Sequence, residues 1–298
     1  MMSRKTVSLF TGNHLEWGVS DQIDYLNCSL GDAGLDVILS KKLNEKFDNI
    51  VIENFQNFEV DQLYNFKNNY ENTKIFCVLT EHFELRHGVL YLNDERFDAE
   101  RSYIPNLYMR FLNLVKISPV FSGFITLHQN PSKANLRTIF PLHPIFEFRG
   151  IPKPKTNLQN EKLKQYDMCF FGTMTPYRKQ ILQQLRDKFN IFIGSSTPSN
   201  ERAKIIKNSV INLNIPQSDK WTNISPMRVF SSSKLDVFTL TITDDDSNNN
   251  IDALELKVSE ACGMLISDIL YFCHKNLDKS NVYLDQKFKI DGFDQWVN

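Results

Sequence analysis

Two short segments in the second half of the chain place an arginine in the first turn of a predicted helix. Residues 172–178 (GTMTPYR) follow one apolar run, and residues 225–228 (SPMR) follow another after a loop. In each segment Thr or Ser suits the N-cap, proline suits the first helical position and arginine stands third. The two segments therefore predict two similar helix starts within one domain.

An arginine at the positive end of a helix dipole is unfavourable unless an anion binds there. Backbone N–H groups and a guanidinium fork together form a phosphate site, to which Arg178 and Arg228 would contribute. Gly172 would let a ligand approach the backbone closely. The alternative is two ordinary capped helices whose arginine side chains extend into water.

Several acidic and histidine side chains follow predicted strands and are candidates for proton transfer. Glu81 and His82 come directly after the apolar run 74–80, and His14 and Asp21 lie in the loop and helix start after the first strand. Any of them could accept a proton from a hydroxyl group. Asp21 could instead be a favourable helix-dipole charge, and His82 a hydrogen-bonded loop histidine. His128, at the end of the run 124–127, is a further candidate.

The run Asp244–Asp246 follows a predicted strand, where carboxylates can hold a divalent cation. A polar stretch, 247–250 (SNNN), follows it, which favours a solvated loop. The sequence contains no HExxH, P-loop, GxGxxG or GxSxG pattern. No metal site is therefore predicted.

Short apolar runs alternate with amphipathic stretches along the whole chain, which predicts an α/β fold with parallel strands. Gly, Pro and Lys in 148–165 suggest a linker between an N-terminal Rossmann-like domain, 1–147, and a C-terminal one, 166–298. Ligands of such sheets bind at the carboxyl ends of strands, so a cleft between the domains is the expected site. The predicted strands are 7–10, 36–39, 49–52, 74–80, 124–127, 168–171, 191–193, 210–214 and 237–243, and the predicted helices are 20–33, 98–117, 176–188, 200–207 and 226–234.

Composition excludes several classes of protein. The 298 residues carry 34 basic and 35 acidic side chains, a net charge of −1, so no nucleic-acid partner is expected. No apolar run approaches the ~20 residues of a membrane helix, and the five scattered cysteines include no CxxC pair. These observations predict a cytoplasmic protein without an integral membrane segment.

Residues 168–245 resemble the C-terminal domain of GT-B fold glycosyltransferases, most closely the glycosyltransferase group 1 and spore-maturation-like types. The matching stretches are 169–173 (CFFGT), 177–179 (YRK), 210–215 (VINLNI) and 224–230 (ISPMRVF). The first loop, at 14–22, is compatible with the same family.

The resemblance implies a transferase of polysaccharide biosynthesis that moves a sugar from a nucleotide-diphosphate donor to a glycan, lipid-linked or protein acceptor. It implies no cofactor and no metal, because helix dipoles and basic groups would neutralise the departing diphosphate. The predicted donor residues are Gly172, Thr173, Arg178, Asn214, Ser225 and Arg228.

Two alternatives remain open at this point. Similar sequences carry an acidic residue where Ser231 stands here, so a catalytically degenerate module that binds a nucleotide or a partner is the main alternative. Sugar transfer to DNA bases also occurs on this fold, but the absence of a basic stripe disfavours it.

Overall fold

Short apolar runs of the sequence form the central strands of two parallel sheets in the computed structural model. Two compact units contain these sheets: the first comprises Met1–Leu15, Gln22–Arg149 and Phe288–Asn298, and the second comprises Glu16–Asp21 and Gly150–Lys287. The structure describes residues 5–12, 20–53, 57–87, 89–92, 95–96, 105–127, 132–149, 151–155, 164–195, 197–221, 224–246, 254–280, 283–284, 289–290 and 293–296.

The first unit is built on a parallel sheet with strand order β9-β8-β4-β3-β1-β2. A small antiparallel sheet of β5, β6 and β7 follows β4 in the chain. The elements are β1 (Thr6–Phe10), α1 (Ser20–Asp32), β2 (Asp36–Ser40), β3 (Asp48–Ile52), α2 (Asn57–Asn69), β4 (Ile75–Leu79), β5 (Phe83–Arg86), β6 (Val89–Leu92), β7 (Glu95–Arg96), α3 (Pro105–Ile117), β8 (Gly123–Thr126), α4 (Ser132–Ile139) and β9 (Ile145–Arg149).

Strands β3 and β4 are buried at every position, as expected for central strands covered on both faces. Phe124 on β8 stacks on Phe140 with ring centroids 4.3 Å apart and meets Phe121 edge to face. This rigid core fixes the carboxyl ends of β3 and β4, from which Glu53 and Glu81 extend.

The second unit is built on a fully parallel five-stranded sheet with strand order β12-β11-β13-β14-β15. Strands β13 and β14 are buried throughout. The elements are β10 (Ile151–Pro152), β11 (Tyr166–Phe171), α5 (Pro176–Arg186), β12 (Ile191–Gly194), α6 (Ser199–Lys207), β13 (Ser209–Asn214), α7 (Pro226–Ser233), β14 (Phe238–Thr243), β15 (Glu255–Lys257), α8 (Val258–Gly263), α9 (Ile266–Asn276) and β16 (Tyr283–Leu284).

The last strand returns to the first unit. Strand β17 (Lys289–Ile290) pairs antiparallel with β9 and completes a seven-stranded sheet. The carbonyl of Trp296 accepts a hydrogen bond of 2.6 Å from Lys74 Nζ, which also belongs to the first unit.

Each predicted strand lies within one or two residues of an observed strand. Helices α2 and α4, the antiparallel sheet β5–β7 and the strands β9, β10 and β15–β17 were not predicted. Strand β9 also extends to Arg149, into the segment interpreted as a linker, because Phe146 is buried against Phe76 and Phe293. Part of the predicted helix 98–117 lies outside the described residues, and the observed helix α3 covers Pro105–Ile117.

Candidate functional site

The loop after β11 begins with a glycine whose conformation other residues rarely adopt. Gly172 has a φ of +154°. A Cβ atom built on it would lie 3.1 Å from Arg228 Nη2 and 3.2 Å from Arg178 Nη1. The backbone conformation therefore favours glycine here, and a Cβ atom would fit only if both guanidinium ends moved by a few tenths of an ångström. The two arginines predicted from separate motifs meet at this one residue.

The two predicted helix starts are confirmed, although only one forms its side-chain cap. The hydroxyl of Thr175 accepts a hydrogen bond of 3.2 Å from the Arg178 N–H and donates one of 2.8 Å to the Gln217 carbonyl. Pro176 and Pro226 each occupy the first turn. Ser225 is the N-cap of α7, but its side chain makes no capping bond. Thr175 thus joins α5 to the loop that follows β13.

Arg178 is almost fully buried and binds backbone carbonyls. Its Nε donates to the carbonyl of Ile215 at 2.8 Å and to that of Pro216 at 3.2 Å, and its Nη1 donates to the carbonyl of Thr173 at 2.8 Å. Only 4% of the residue is exposed. Arg178 therefore ties the loop after β11 to the loop after β13.

Arg228 is held by neutral acceptors. Its Nη1 donates to Asn214 Oδ1 at 2.7 Å, and its Nη2 donates to the Phe171 carbonyl at 2.9 Å. Within the described part of the chain, no carboxylate lies within ion-pair distance of this guanidinium. Burial lowers the pKa of Arg228 to about 10, because a desolvated cation is less stable than a hydrated one.

The guanidinium groups of Arg178 and Arg228 both contact the aromatic ring of Phe170. Their central carbons lie 5.3 Å (Arg178) and 5.4 Å (Arg228) from the centroid of this ring. Such contacts stabilise a cation by roughly 0.5–2 kcal/mol. Nothing in the sequence distinguishes Phe170 from the other apolar residues of its strand, so sequence reasoning missed its role.

Asp21, predicted as a candidate base, forms an ion pair in the second unit. Its Oδ1 lies 2.7 Å from Nη2 of Arg202 in the first turn of α6. Both charges act on Arg228 at longer range: Asp21 raises its pKa and Arg202 lowers it. Arg202 was not predicted, because its helix start has none of the Pro-x-Arg pattern of α5 and α7.

In the first unit, the predicted residues Glu81 and His82 lie beside an ion-pair network that was not predicted. Glu53, directly after β3, is 2% exposed, and its Oε1 lies 2.5 Å from Arg110 Nη2 on α3. Glu53 Oε2 accepts a 2.9 Å hydrogen bond from the Thr80 N–H. Arg110 Nη1 lies 3.5 Å from Glu81 Oε1, so one arginine contacts two carboxylates.

These two carboxylates differ in exposure. The Glu81 side chain is 22% exposed, whereas Glu53 is buried, and burial raises the pKa of Glu53 against the opposing effect of Arg110. His82 is 3% exposed. The rule that selected Glu81, a polar residue at the end of a buried strand, also applies to Glu53. His14 and His128 lie outside the described residues.

The acidic run after β14 is used for local structure. Asp245 Oδ1 accepts hydrogen bonds from the backbone N–H of Ser259 at 3.1 Å and from its hydroxyl at 2.7 Å. The Asp244 N–H donates to the hydroxyl of Tyr177 at 3.1 Å, and burial raises the pKa of Tyr177 to about 12. Among the described residues, no group of three or more His, Cys, Asp or Glu side chains could hold a metal ion.

Comparison with solved structures gives the fold. Three structures of an alpha-glucosyltransferase in complex with UDP and a 13-mer DNA align with 94% of this chain. One contains a central A:G mismatch (TM-score 0.56, 8% identity, 96% of that chain covered). Two contain an HMU base (TM-scores 0.55 and 0.52, identities 10% and 9%, 95% and 96% covered). The predicted α/β fold of the GT-B glycosyltransferase type is confirmed.

Comparisons of the sequence with known families and proteins found no match. No family model matches the chain, and no curated protein matches it. The similar structures are complexes with DNA, so they give no support to the expectation that nucleic acid is not a partner. In the part of the chain that the structure describes, none of the helices combines the length and apolar character needed to cross a bilayer.

Proposed function

We propose that this protein is a glycosyltransferase that takes a sugar from a nucleotide-diphosphate donor bound by the second unit. The observation that carries the proposal is the convergence of Arg178 and Arg228 on Gly172, at the carboxyl ends of parallel strands in a GT-B fold. The sequence resemblance to the glycosyltransferase group 1 and spore-maturation-like types supports the same activity.

The electrostatics of this site favour an anionic ligand. Two guanidinium groups against one ring repel each other, and the hydrogen bonds described for Arg228 go to neutral oxygens. A bound diphosphate would offset both the repulsion and the cost of burying Arg228. Helices α5 and α7 also begin here, so their N–H groups can add to anion binding.

The same groups would assist the chemistry without a metal. When the sugar leaves the donor, negative charge develops on the diphosphate, and fixed cations stabilise that charge in the transition state. We therefore expect transfer to continue in the presence of EDTA. A requirement for Mg²⁺ or Mn²⁺ would contradict this part of the proposal.

On the acceptor side, we propose that the first unit contributes Glu81 and His82. If Glu81 accepts the proton of the attacking hydroxyl, Glu81→Gln lowers the turnover number by about 10²- to 10⁴-fold and leaves donor affinity unchanged. His82→Gln tests the second candidate in the same assay. A retaining reaction needs no strong base, in which case both variants change the acceptor KM instead.

The acceptor that we propose is a glycan, a lipid-linked saccharide or a protein. The net charge of −1 provides no general attraction to a polyanion. Because the similar structures are complexes with DNA, a DNA 13-mer that contains an HMU base belongs in the acceptor panel. Transfer to that DNA would overturn our choice of acceptor but not the donor site.

A thermal-shift screen with UDP, GDP, CMP and ADP tests the donor site. We expect one of these nucleotides to stabilise the protein, and Arg228→Ala to abolish the shift. Arg186→Ala is the matched control, because Arg186 is exposed in the last turn of α5. Hydrolysis or transfer of the matching nucleotide sugar would then distinguish an enzyme from a module that only binds.

A further inference from the structure

Asn214 is the last residue of β13, and its side-chain amide is bonded within the protein. It is 3% exposed. Its Oδ1 accepts from Arg228 Nη1 at 2.7 Å, and its Nδ2 donates to the hydroxyl of Thr241 on β14 at 3.2 Å. These contacts place Asn214 between Arg228 and the neighbouring strand.

We propose that Asn214 is a positioning residue of the donor site: its neutral amide orients the Arg228 guanidinium and leaves the positive charge available for a diphosphate. This inference rests on the proposed function, because it assigns a task within the same site. It differs from the sequence prediction, in which Asn214 approaches the nucleotide or the sugar directly.

The chemistry of the atom that accepts the hydrogen bond from Arg228 supports this assignment. A carboxylate at residue 214 would pair with the guanidinium as an ion, whereas the amide oxygen only accepts its hydrogen bond. Aspartate has nearly the same shape as asparagine, and the Thr241 hydroxyl can donate as well as accept. Nothing in the local geometry therefore requires an amide. The amide differs from the carboxylate chiefly in adding no negative charge next to Arg228.

The other groups that hold Arg228 in place are also uncharged. The carbonyl of Phe171 binds the second terminal nitrogen at 2.9 Å, and the ring of Phe170 lies beside the guanidinium. Asn212, two residues earlier on β13, donates to the hydroxyl of Ser232 at 2.6 Å, and Ser232 donates to the carbonyl of Arg228 at 3.1 Å. Strand β13 thus fixes both the side chain and the backbone of Arg228.

The variant Asn214→Asp separates positioning from a purely structural role. If the amide serves only stability, the new ion pair raises the melting temperature and leaves nucleotide binding unchanged. If the amide keeps Arg228 available, the melting temperature rises while the affinity for pyrophosphate and for the best nucleoside diphosphate falls by about tenfold or more. Asn214→Ala, which loses both side-chain hydrogen bonds but adds no charge, should lower the affinity less than Asn214→Asp.

Asn208→Asp is the control, because it makes the same change in net charge at an exposed residue just before β13. Its affinity should match that of the wild type. A lower melting temperature for Asn214→Asp, or unchanged affinity, would overturn the inference. If the wild-type protein binds neither pyrophosphate nor any nucleotide, the proposed function fails, while a raised melting temperature for Asn214→Asp would still show that a negative charge beside Arg228 stabilises the fold.

Discussion

Each unit contains an arginine held near the carboxyl end of a parallel strand. The partners of one arginine are charged, and the partners of the other are neutral. Arg110 in the first unit contacts the carboxylates of Glu53 and Glu81. Arg228 in the second unit contacts an amide oxygen and a backbone carbonyl. A guanidinium paired with carboxylates has its charge neutralised internally, whereas one bound to neutral oxygens keeps its charge for a ligand. We therefore base the proposed anion site in the second unit on the partners of Arg228 more than on the arginine itself.

The largest expected effect follows from removing the arginine of the first unit. Arg110→Ala leaves Glu53 buried without its cation, which should lower the free energy of unfolding by about 3–5 kcal/mol. Among the described residues, no carboxylate forms an ion pair with Arg228, so we expect Arg228→Ala to cause less than half of that loss. Urea denaturation of both variants measures the difference. Equal losses would mean that the two arginines play the same structural role.

The pH dependence of stability should sharpen this contrast. Burial raises the pKa of Glu53 in the folded protein above its unfolded value, so protonation of Glu53 favours the folded state. In Arg110→Ala this effect grows, and stability should recover as the pH falls from 7 through that raised pKa. Arg228→Ala retains Arg110, so it should show only the smaller pH dependence of the wild type in the same range. Denaturation curves between pH 4.5 and 7.5 provide the measurement.

A smaller loss is expected from Gly172→Ala. The positive φ strains any residue with a side chain, at a cost of about 1–3 kcal/mol, and the new methyl group would displace both guanidinium groups. Stability and nucleotide affinity should therefore fall together. Gly31→Ala in α1 is the control, because an added Cβ meets nothing within 4 Å there. If Gly172→Ala keeps wild-type affinity, the guanidinium groups do not have to meet at Gly172.

The smallest expected effect compares the two helix starts of the second unit. Thr175→Ala removes a formed cap and a bond to the Gln217 carbonyl, so it should cost about 1–2 kcal/mol of stability. Ser225→Ala removes a side chain that makes no capping bond, so it should lower stability by only a few tenths of a kcal/mol. Thermal denaturation of the two variants, side by side, measures this difference. A larger loss for Ser225→Ala would reverse the assignment.

The sequence predicts the elements of this fold well where one strong local pattern dominates. Strand β14 was predicted at 237–243 and is observed at Phe238–Thr243, because the segment VFTLTIT consists of β-branched, aromatic and leucine residues, most of which favour a strand. The small antiparallel sheet β5–β7 was missed, because its strands are only two to four residues long and leave little local pattern to detect. Their antiparallel pairing stabilises strands that local sequence alone does not indicate.

The residues of the candidate site also divide into those that a local pattern predicts and those that depend on the folded chain. Gly172, Pro176 and Pro226 act through their own backbone, so their positions were predictable from the motifs. The partners of the charged groups were not predictable. Arg178 binds carbonyls 37 and 38 residues away, and Glu53 pairs with an arginine 57 residues away. Only the folded chain brings such groups together, and these pairings determine whether a charge remains available to a ligand.

The most direct test of the central claim compares a nucleoside diphosphate with its nucleoside by isothermal titration calorimetry. The wild-type protein should bind the diphosphate much more tightly than the nucleoside, because the guanidinium groups recognise the phosphates. Arg228→Ala should weaken diphosphate binding by roughly 10- to 100-fold and leave nucleoside binding unchanged. Full retention of the diphosphate preference in Arg228→Ala would contradict the account.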